Sequence, residues 1–463
     1  MRQLSRKSSL AATDNRALES VRSTTVVPAT PARIVKERRI AAWLVAMSIA
    51  MLSLSVAALP STDKLPPAAE YRGEIRRDAS GHLVAVPAAT TAPEATASPG
   101  GRVLRVGPGQ ALHTIAAAAA MAKDGDTVEI DAGDYPGDVA VWTQDKLTIR
   151  ATGGRARLAA SGASAEKKAI WVIRGGTITV ENIEFSGARV PDRNGAGIRF
   201  EKGHLSVRNC RFLDNENGIL TGGGEAELDI ENSEFGHNGH GDGYSHNLYV
   251  GPLRRLRVTG SYFHHANVGH LLKSRAAENH ILYNRLTDET GGHASYELEF
   301  PDGGIAYVIG TIIEQSATTE NATLISFGAE GYKWPKNELY LVNNTLVDNR
   351  PVGGRFLVVK PGASTVHAFN NLLLGKGPLN IGIDGVFINN SNVAPEAFVL
   401  AQHHDYRIRA TSPLHRTYKT PGSANGFDLA PAREYVHPAA TRQLLTAPTL
   451  PGARQTMQPD KSN

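Results

Sequence analysis

The side chains best suited to acid–base chemistry are concentrated between His237 and Asp302, a stretch that holds eight of the 16 histidines. At its centre, in the run GHLLKSRA, the cations Lys273 and Arg275 alternate with a leucine and a serine. Side chains alternate between the two faces of a strand, so the two cations share one face. Because burying both without partners is costly, we expect that face to point outward.

Neighbouring strands are expected to place further polar groups beside the two cations. Adjacent strands lie about 4.8 Å apart, so equivalent positions form columns across a sheet. Asn247 and Tyr249 face outward one strand earlier, and Glu297 and Glu299 face outward one strand later. The predicted columns are Tyr249–Lys273–Glu297 and Gly251–Arg275–Glu299.

Two cations, a phenol and several histidines on one face are suited to chemistry on a uronate sugar. β-Elimination and C5 epimerisation both begin with removal of the C5 proton, and both need a base and a cation beside the C6 carboxylate. Lys273 or a histidine is then the base, Arg275 binds the carboxylate, and Tyr249 or His246 is the acid. The residues predicted to bind the acidic polysaccharide are Asn247, His270, Glu297, Glu299 and Asp302.

Three other interpretations compete with this one. Opposite charges one strand apart form ordinary ladders, which would suit a non-catalytic carbohydrate-binding or envelope-structural protein. Glu297 and Glu299, about 6.5–7 Å apart on one face, would suit an inverting glycoside hydrolase. A loop metal site would use His237, His240, Asp242 and His246, but loop histidines are more often solvated, and we expect neither a metal nor a cofactor.

A second segment with possible chemistry is FGAEGYKW, which carries Glu330, Tyr332 and Trp334. Its aromatic rings could form a platform on which sugars stack. They could equally belong to a loop that covers the side of the domain. The residues of this segment do not distinguish the two.

The elements that must position these residues are short repeated strands. Four segments share the pattern apolar, x, Asn or Gly, two residues, aromatic: VENIEF at 180–185, VRNCRF at 207–212, IENSEF at 230–235 and VTGSYF at 258–263. The Asn-equivalent positions along the chain are 182, 209, 232, 260, 283, 310, 343 and 370. Steps of 23–33 residues with period-2 alternation predict a parallel β-helix, because a propeller blade needs about 40 residues. Its asparagines would stack in a ladder along one corner.

The start of the repeat region resembles a known superfamily. Between Val106 and Tyr135, ALHTIAAAAAMA (111–122) is typical of a short amphipathic helix, and DGDTVEIDAGDY follows it. This run resembles the opening of pectate-lyase-like right-handed parallel β-helix proteins. The resemblance implies an all-β, right-handed, single-stranded parallel β-helix of roughly ten coils over 102–410, with an N-terminal capping helix. That superfamily contains lyases, epimerases, hydrolases and adhesins, so it leaves the activity open.

A shorter run, GHLLKSRAAENHILYNRL, resembles the Lys-Ser strand of chondroitinase-B-like and alginate-lyase-like polysaccharide lyases. The resemblance implies that Lys273 is the base. That family places an arginine on the next coil, where this chain has Glu297 and Glu299. Its calcium-binding acid corresponds here to Val268, Gly269 or His270, so the resemblance does not extend to a calcium site.

The N-terminal hundred residues determine topology rather than fold. The stretch 40–59 has twenty uncharged residues, enough to span a bilayer, and the basic segment 1–39 precedes it. We predict an inner-membrane anchor or a signal sequence, since Ser55-Val56-Ala57 is a possible cleavage site. An Ala/Pro/Thr-rich linker at 60–101 would then lead to an exported domain, periplasmic, at the cell surface or secreted, that ends in a tail at 411–463.

Composition excludes several classes of protein. The single cysteine, Cys210, rules out internal disulfides and sites built from several cysteines. A net charge of +4 over 463 residues gives no reason to expect nucleic-acid binding. Hydrophobic residues make up 41% of the chain, enough for a substantial core. We expect the folded domain to be a monomer.

Overall fold

The computed structural model describes residues 101–456 and, before them, two short strands. These strands, Ile75–Arg77 and Leu83–Ala85, pair antiparallel. No helix in the described part of the chain is both long and apolar enough to cross a membrane. The predicted segments 1–39 and 40–59, and most of the predicted linker, lie outside the described residues.

One face of the domain is a nine-stranded parallel sheet, which we call sheet A. Its strands are Ala140–Trp142, Ala169–Ile173, Ala196–Phe200, Asn217–Thr221, Leu248–Val250, Leu272–Ser274, Leu298–Phe300, Thr323–Phe327 and Arg355–Val359. Each strand pairs with the equivalent strand of the coils on either side, so residues at one position form a column.

The other faces form one 21-stranded sheet that bends at a corner, and we call its two legs sheet B and sheet C. Sheet B contains Val103–Val106, Thr127–Asp134, Thr177–Glu181, His204–Arg208, Gly224–Glu231, Leu253–Thr259, Glu278–Leu282, Ile305–Ile309, Glu338–Val342, Thr365–Phe369 and Val386–Ile388. Sheet C contains Ile183–Ser186, Arg211–Leu213, Glu234–Gly236, Tyr262–His264, Arg285–Thr287, Ile312–Gln315, Thr345–Asp348, Leu372–Leu374 and Ser391–Val393. The long strand Leu147–Ala159 runs through both legs. The architecture confirms the predicted parallel β-helix of about ten coils.

One left-handed residue per coil turns the chain from sheet B into sheet C. These residues have φ between 49° and 63° and occupy the predicted repeat positions: Asn182, Asn209, Asn232, Gly260, Tyr283, Gly310, Asn343 and Asn370. Asparagine is among the few residues that tolerate this conformation. Some of them form the predicted ladder, since Asn209 Nδ2 donates to Asn182 Oδ1 at 3.2 Å. At Gly310, the ring of Tyr283 leaves no room for a Cβ.

The interior is filled by stacks that follow the same repeat. The aromatic residues of the pattern, Phe185, Phe212, Phe235 and Phe263, are fully buried and stack with centroid separations of 5.1, 4.7 and 4.6 Å. At most corners the next residue is polar, points inward and forms a hydrogen bond with a neighbouring coil. For example, Asn344 Oδ1 accepts from the Thr311 backbone N–H at 2.9 Å. The stacks fix the register of the coils.

The first coil is covered by the helix Ile115–Met121, which is shorter than the predicted 111–122. Thr114 caps it, accepting from the Ala117 N–H at 3.2 Å. Ile115, Ala118 and Ala119 are buried. The predicted capping helix is therefore confirmed.

The C-terminal region packs onto sheets B and C. It contains the strands Phe398–Leu400, Asp405–Ile408, Ser423–Ala424, Phe427–Asp428, Arg433–Val436 and Ala440–Gln443, and the 3-10 helices Pro395–Ala397, Ala401–His403 and Pro413–Arg416. Leu450 and Ala453 are buried in one cluster with Val347 and Leu372. The Ala432 N–H donates to the Tyr283 hydroxyl at 2.9 Å. The described part of the predicted tail, residues 411–456, therefore packs against the coils.

Candidate active site

Three neighbouring strands of sheet A bring the predicted site residues together. Their register places Tyr249 opposite Lys273, and Lys273 opposite Glu299. Leu272 and Ser274 are fully buried while Lys273 and Arg275 lie on the outer face, as the alternation predicts. The first predicted column is wrong at its last member, because the turn before Leu298–Phe300 is longer than the equivalent turn of the preceding coil. Equal spacing along the chain predicts Glu297 opposite Lys273, whereas the register of the sheet places Glu299 there.

Two residues predicted to lie on the outer face are buried inside the coil. Asn247 is fully buried, and its Nδ2 donates to the His264 carbonyl at 2.8 Å. Glu297 is also fully buried, and neither carboxyl oxygen has a hydrogen-bond partner among the described residues. Burial, reinforced by the carboxyl of Asp288, raises the pKa of Glu297 well above its ordinary value. The predicted hydrolase pair is therefore wrong, because Glu297 is buried inside the coil and does not share a face with Glu299.

Lys273 lies between two carboxylates. Its Nζ is 3.0 Å from Glu299 Oε2 and 3.1 Å from Glu330 Oε1. The ammonium side chain is only 12% exposed, while the Glu330 side chain is 47% exposed. Burial opposes the charged form, but the two carboxylates together hold the pKa of Lys273 above its ordinary value.

Arg275 contacts three outer-face residues through its three nitrogens. Nε donates to the Tyr249 hydroxyl at 2.9 Å, Nη1 to Asp302 Oδ1 at 2.6 Å and Nη2 to Glu330 Oε2 at 2.8 Å. Burial opposes its charge, but Glu330, Tyr249 and Asp302 hold its pKa above the ordinary value. The predicted Gly251–Arg275–Glu299 column is wrong at its last member, because the register places Glu299 opposite Lys273. Arg275 pairs with Asp302 and Glu330 instead.

Two histidines support the network from the side. His270 Nε2 lies 2.9 Å from Glu299 Oε2, and the backbone N–H of His270 donates to His246 Nδ1 at 2.9 Å. Burial lowers the pKa of both rings, and His270, Lys273 and Arg275 lower that of His246 further. His246 is only 3% exposed, so it positions His270 and does not itself reach a substrate.

Glu330 is the member of the network that the predicted residue set lacks. It comes from the loop after Thr323–Phe327, and this loop is tied to the sheet in two places. The Trp334 indole N–H donates to the Arg275 carbonyl at 3.0 Å, and the Tyr332 hydroxyl donates to the Lys360 carbonyl at 2.6 Å. Both rings are half-buried, so the segment covers the side of sheet A and holds a carboxylate over it.

The loop metal site considered from the sequence is not assembled. His240 Nδ1 lies 3.4 Å from Glu216 Oε1. Asp242 accepts from the Tyr244 N–H at 3.0 Å, and the lone pair of His246 Nδ1 is used by His270. These groups are therefore engaged separately.

The network as a whole has two cations and three carboxylates, with two histidines behind them. Such a set can bind a polar substrate, hold a carboxylate group in a fixed orientation and move a proton at Lys273 or Tyr249. It also has all its charges paired within the protein, as a structural ladder would.

Comparison with known proteins is consistent with this fold. A family model described as "Right handed beta helix region" matches residues 160–296. The crystal structure of pectate lyase Pel9A matches with a TM-score of 0.52 at 13% identity, covering 76% of this chain and 96% of that chain. These matches confirm the right-handed parallel β-helix and, at this identity, the fold alone.

A second solved structure, the deglycosylated pectin methylesterase from Aspergillus niger, matches with a TM-score of 0.33 at 12% identity. The match covers 64% of this chain and 91% of that chain. A likeness at this TM-score does not bear on the site. No curated protein sequence matches the chain.

Proposed function

We propose that this protein binds an acidic, uronate-containing polysaccharide on the outer face of sheet A and removes the sugar C5 proton, in β-elimination or C5 epimerisation. The observation that carries the proposal is the shared carboxylate of Glu330. Its two oxygens are held by Lys273 at 3.1 Å and Arg275 at 2.8 Å. Two largely buried cations therefore already bind one carboxylate, supplied by a loop, above the sheet.

The position of Glu330 is the position that the uronate carboxylate would take. The Glu330 side chain is the most exposed member of the network, whereas Glu299 and Asp302 are 5% and 10% exposed. An incoming carboxylate can therefore displace Glu330 without disturbing the other two. Arg275 Nη2 and Lys273 Nζ would each hold one oxygen of it, as they now hold the two oxygens of Glu330.

The proton transfers follow from the groups around that position. Lys273, once deprotonated, takes the C5 proton from the sugar. In elimination, the C4–O bond breaks, its electron pair leaves with the oxygen, and the Tyr249 hydroxyl protonates that oxygen. In epimerisation, the C4–O bond stays intact and the Tyr249 hydroxyl donates a proton to the opposite side of C5. Arg275 neutralises the charge that develops on the carboxylate when the proton leaves.

Glu299 and His270 hold Lys273 in place. Glu299 contacts both Lys273 Nζ, at 3.0 Å, and His270 Nε2, at 2.9 Å. Burial works against the ionised form of Glu299, but His270 and Lys273 lower its pKa below the ordinary value. The carboxylate thus keeps its charge and fixes the ammonium against the sheet. We assign both residues positioning roles.

The test is to incubate the full-length protein with pectate, alginate, hyaluronan and chondroitin. Pectate comes first because the solved structure with the matching fold is named a pectate lyase. Elimination is followed by the ultraviolet absorbance of the unsaturated uronate, and epimerisation by deuterium incorporation at C5 from heavy water. Lys273→Ala should abolish either signal. Lys202→Ala, at an exposed lysine just beyond the sheet A strand Ala196–Phe200, should retain it.

The alternative function is non-catalytic carbohydrate binding. It is favoured by the complete pairing of Lys273 and Arg275 with protein carboxylates. Binding of a polymer that survives Lys273→Ala, with no product and no C5 exchange on any substrate, would replace the enzymatic proposal by this one. A signal that Lys273→Ala leaves unchanged would remove Lys273 from the reaction.

Export is part of the proposal, since such polymers lie outside the cytoplasm. The uncharged stretch 40–59 after a basic segment supports it. Protease added to intact spheroplasts should digest the domain of a membrane-anchored protein. Protection from the protease until the cells are lysed would contradict export.

A further inference from the structure

A group of three histidines lies at the turn that leads out of sheet C, separate from the residues of the candidate active site. His237 follows the strand Glu234–Gly236, and His264 ends the strand Tyr262–His264, with His265 directly after it. The register pairs Gly236 with His264, so His237 and His265 occupy the same turn position in neighbouring coils. Both have positive φ, 55° and 45°. The coil spacing therefore stacks their rings.

The ring nitrogens of the three residues lie close together. One nitrogen from each lies within 4.8 Å of the others. His264 Nδ1 and His265 Nδ1 are 2.9 Å apart, and the rings of His237 and His265 stack with centroids 4.7 Å apart. Imidazole nitrogens bind zinc at about 2.0–2.1 Å, so the stacked rings of His237 and His265 would have to rotate for all three nitrogens to bind one ion.

The surroundings of His264 are those of a metal-binding histidine. Its second nitrogen, Nε2, lies 3.4 Å from Glu234 Oε1, and such a carboxylate fixes the ring and its tautomer. Gly236 gives the ring its space, since a Cβ there would overlap it.

An open coordination position would face a cavity of about 280 Å³. His237 and His265 line it, together with Asn267, Gly291, Gly292 and His293. Three protein ligands with a fourth position left to water or a substrate is the arrangement of zinc sites that do chemistry, whereas structural sites are closed.

We propose that His237, His264 and His265 bind one Zn²⁺ ion, with its fourth position open to this cavity. Zinc fits the donors because imidazole is a preferred ligand for it and all three donors are nitrogen. The set differs from the loop set considered from the sequence and shares only His237 with it. It was missed because it needs the register between two coils. The proposal does not depend on the proposed function.

The experiment is a zinc titration of the untagged full-length protein after treatment with a chelator. Calorimetry and metal analysis should find one Zn²⁺ per chain. Co²⁺ in its place should give the intense visible absorption of a four-coordinate site. His237→Ala with His265→Ala should weaken zinc binding by at least about tenfold, since two of three ligands are removed. The control, His113→Ala, changes an exposed histidine outside the group and should bind zinc as the parent does.

Thermal unfolding provides the second readout. Zn²⁺ should raise the melting temperature of the parent and of His113→Ala but not that of the double variant, whose own melting temperature shows that it folds. The same stoichiometric binding in the double variant would overturn the proposal. So would the absence of zinc binding by the parent at micromolar concentrations, or a cobalt spectrum typical of six-coordinate, water-rich ions.

Discussion

The rate of the proposed reaction should depend on the protonation state of Lys273, which the two neighbouring carboxylates influence. Lys273 must lose its proton to act as a base, and Glu299 and Glu330 hold its pKa above the ordinary value. The rate should therefore rise with pH and still be rising near the ordinary lysine value of about 10.4. In Glu330→Gln one of the two raising charges is gone, so the rising limb should move to lower pH. The profile of kcat/KM against pH measures this.

Two comparisons make the Glu330→Gln result specific. If Glu330 occupies the substrate carboxylate position, the variant should also lower KM, because a neutral amide competes less well for Lys273 and Arg275. Glu320→Gln, at another half-exposed loop glutamate that lies 3.8 Å from His293, should change neither the profile nor KM. A Glu330→Gln profile that coincides with the parent profile would contradict the role of Lys273 as base.

The sequence predicts which types of side chain lie at the site better than it predicts which residues contact one another there. Alternation alone places Lys273 and Arg275 together outward, and Tyr249, Glu299 and Asp302 do gather around them. Glu330 lies 57 residues after Lys273 and on a loop, so neither spacing nor periodicity brings it to that position. Glu297 fails for the opposite reason. It has the right parity, but it belongs to the turn before the strand, and there parity no longer determines the face.

At the scale of elements, each coil is tied to the next by the inward residue after the corner. Asn344 Nδ2 donates to the Val308 carbonyl at 2.9 Å and to Asn371 Oδ1 at 3.0 Å, and its Oδ1 accepts from the Thr311 N–H at 2.9 Å. Asn344→Ala would leave these buried groups unpaired. We expect a loss of about 2–3 kcal/mol in the free energy of unfolding, measured by urea denaturation.

Asn194→Ala is the control for that measurement, because Asn194 is exposed in a turn. Its effect should stay within about 0.5 kcal/mol. Equal stability of the two variants would mean that the hydrogen bonds of Asn344 form because the coils stack and do not themselves stabilise the stack.

The sequence repeat made the corners of the coils predictable, and the corner at Tyr283 and the turns show what it could not predict. Every predicted corner position has the left-handed conformation, including Tyr283, which has neither the small side chain of glycine nor the local hydrogen bonding of asparagine. There the corner is fixed by its neighbours, since the Tyr283 ring covers Gly310 and its hydroxyl accepts from Ala432. Coil length varies through the turns, which follow no pattern. The corners were therefore predictable, and the register of sheet A was not.

At the scale of the whole molecule, the C-terminal region closes over ionisable groups of sheet C. His404 lies 3.1 Å from Glu289 Oε2 and 2.9 Å from Glu314 Oε2, and the Tyr406 hydroxyl donates to the same Glu314 oxygen at 2.8 Å. Glu289 and Glu314 raise the pKa of His404 to about 9 against the effect of burial. One charged histidine of the C-terminal region therefore joins it to the coils.

Burial inside the coils also raises the pKa of two acids, Asp288 and Glu297. Asp288, fully buried, has its pKa raised by burial to about 7, and its neighbour Glu297 is raised as well. The folded chain therefore keeps these protons to higher pH than the unfolded chain, which ionises the two acids near their ordinary values, about 4. The contribution of Asp288 to stability is complete below about pH 4 and is lost as the pH rises through about 7.

The two effects predict a stability that falls with pH in two separate windows. His404 is protonated in both states below about pH 6.5, so its contribution is complete there and is lost as the pH rises to about 9. His404→Gln should therefore flatten the fall in unfolding free energy between about pH 6.5 and 9, and Asp288→Asn the fall between about pH 4 and 7. His403→Gln changes an exposed neighbour and should leave both windows intact. Urea denaturation at a series of pH values measures the windows. If His404→Gln shows the full alkaline loss, the tail is held by its apolar contacts at Leu450 and Ala453, and the ion pairs contribute nothing measurable.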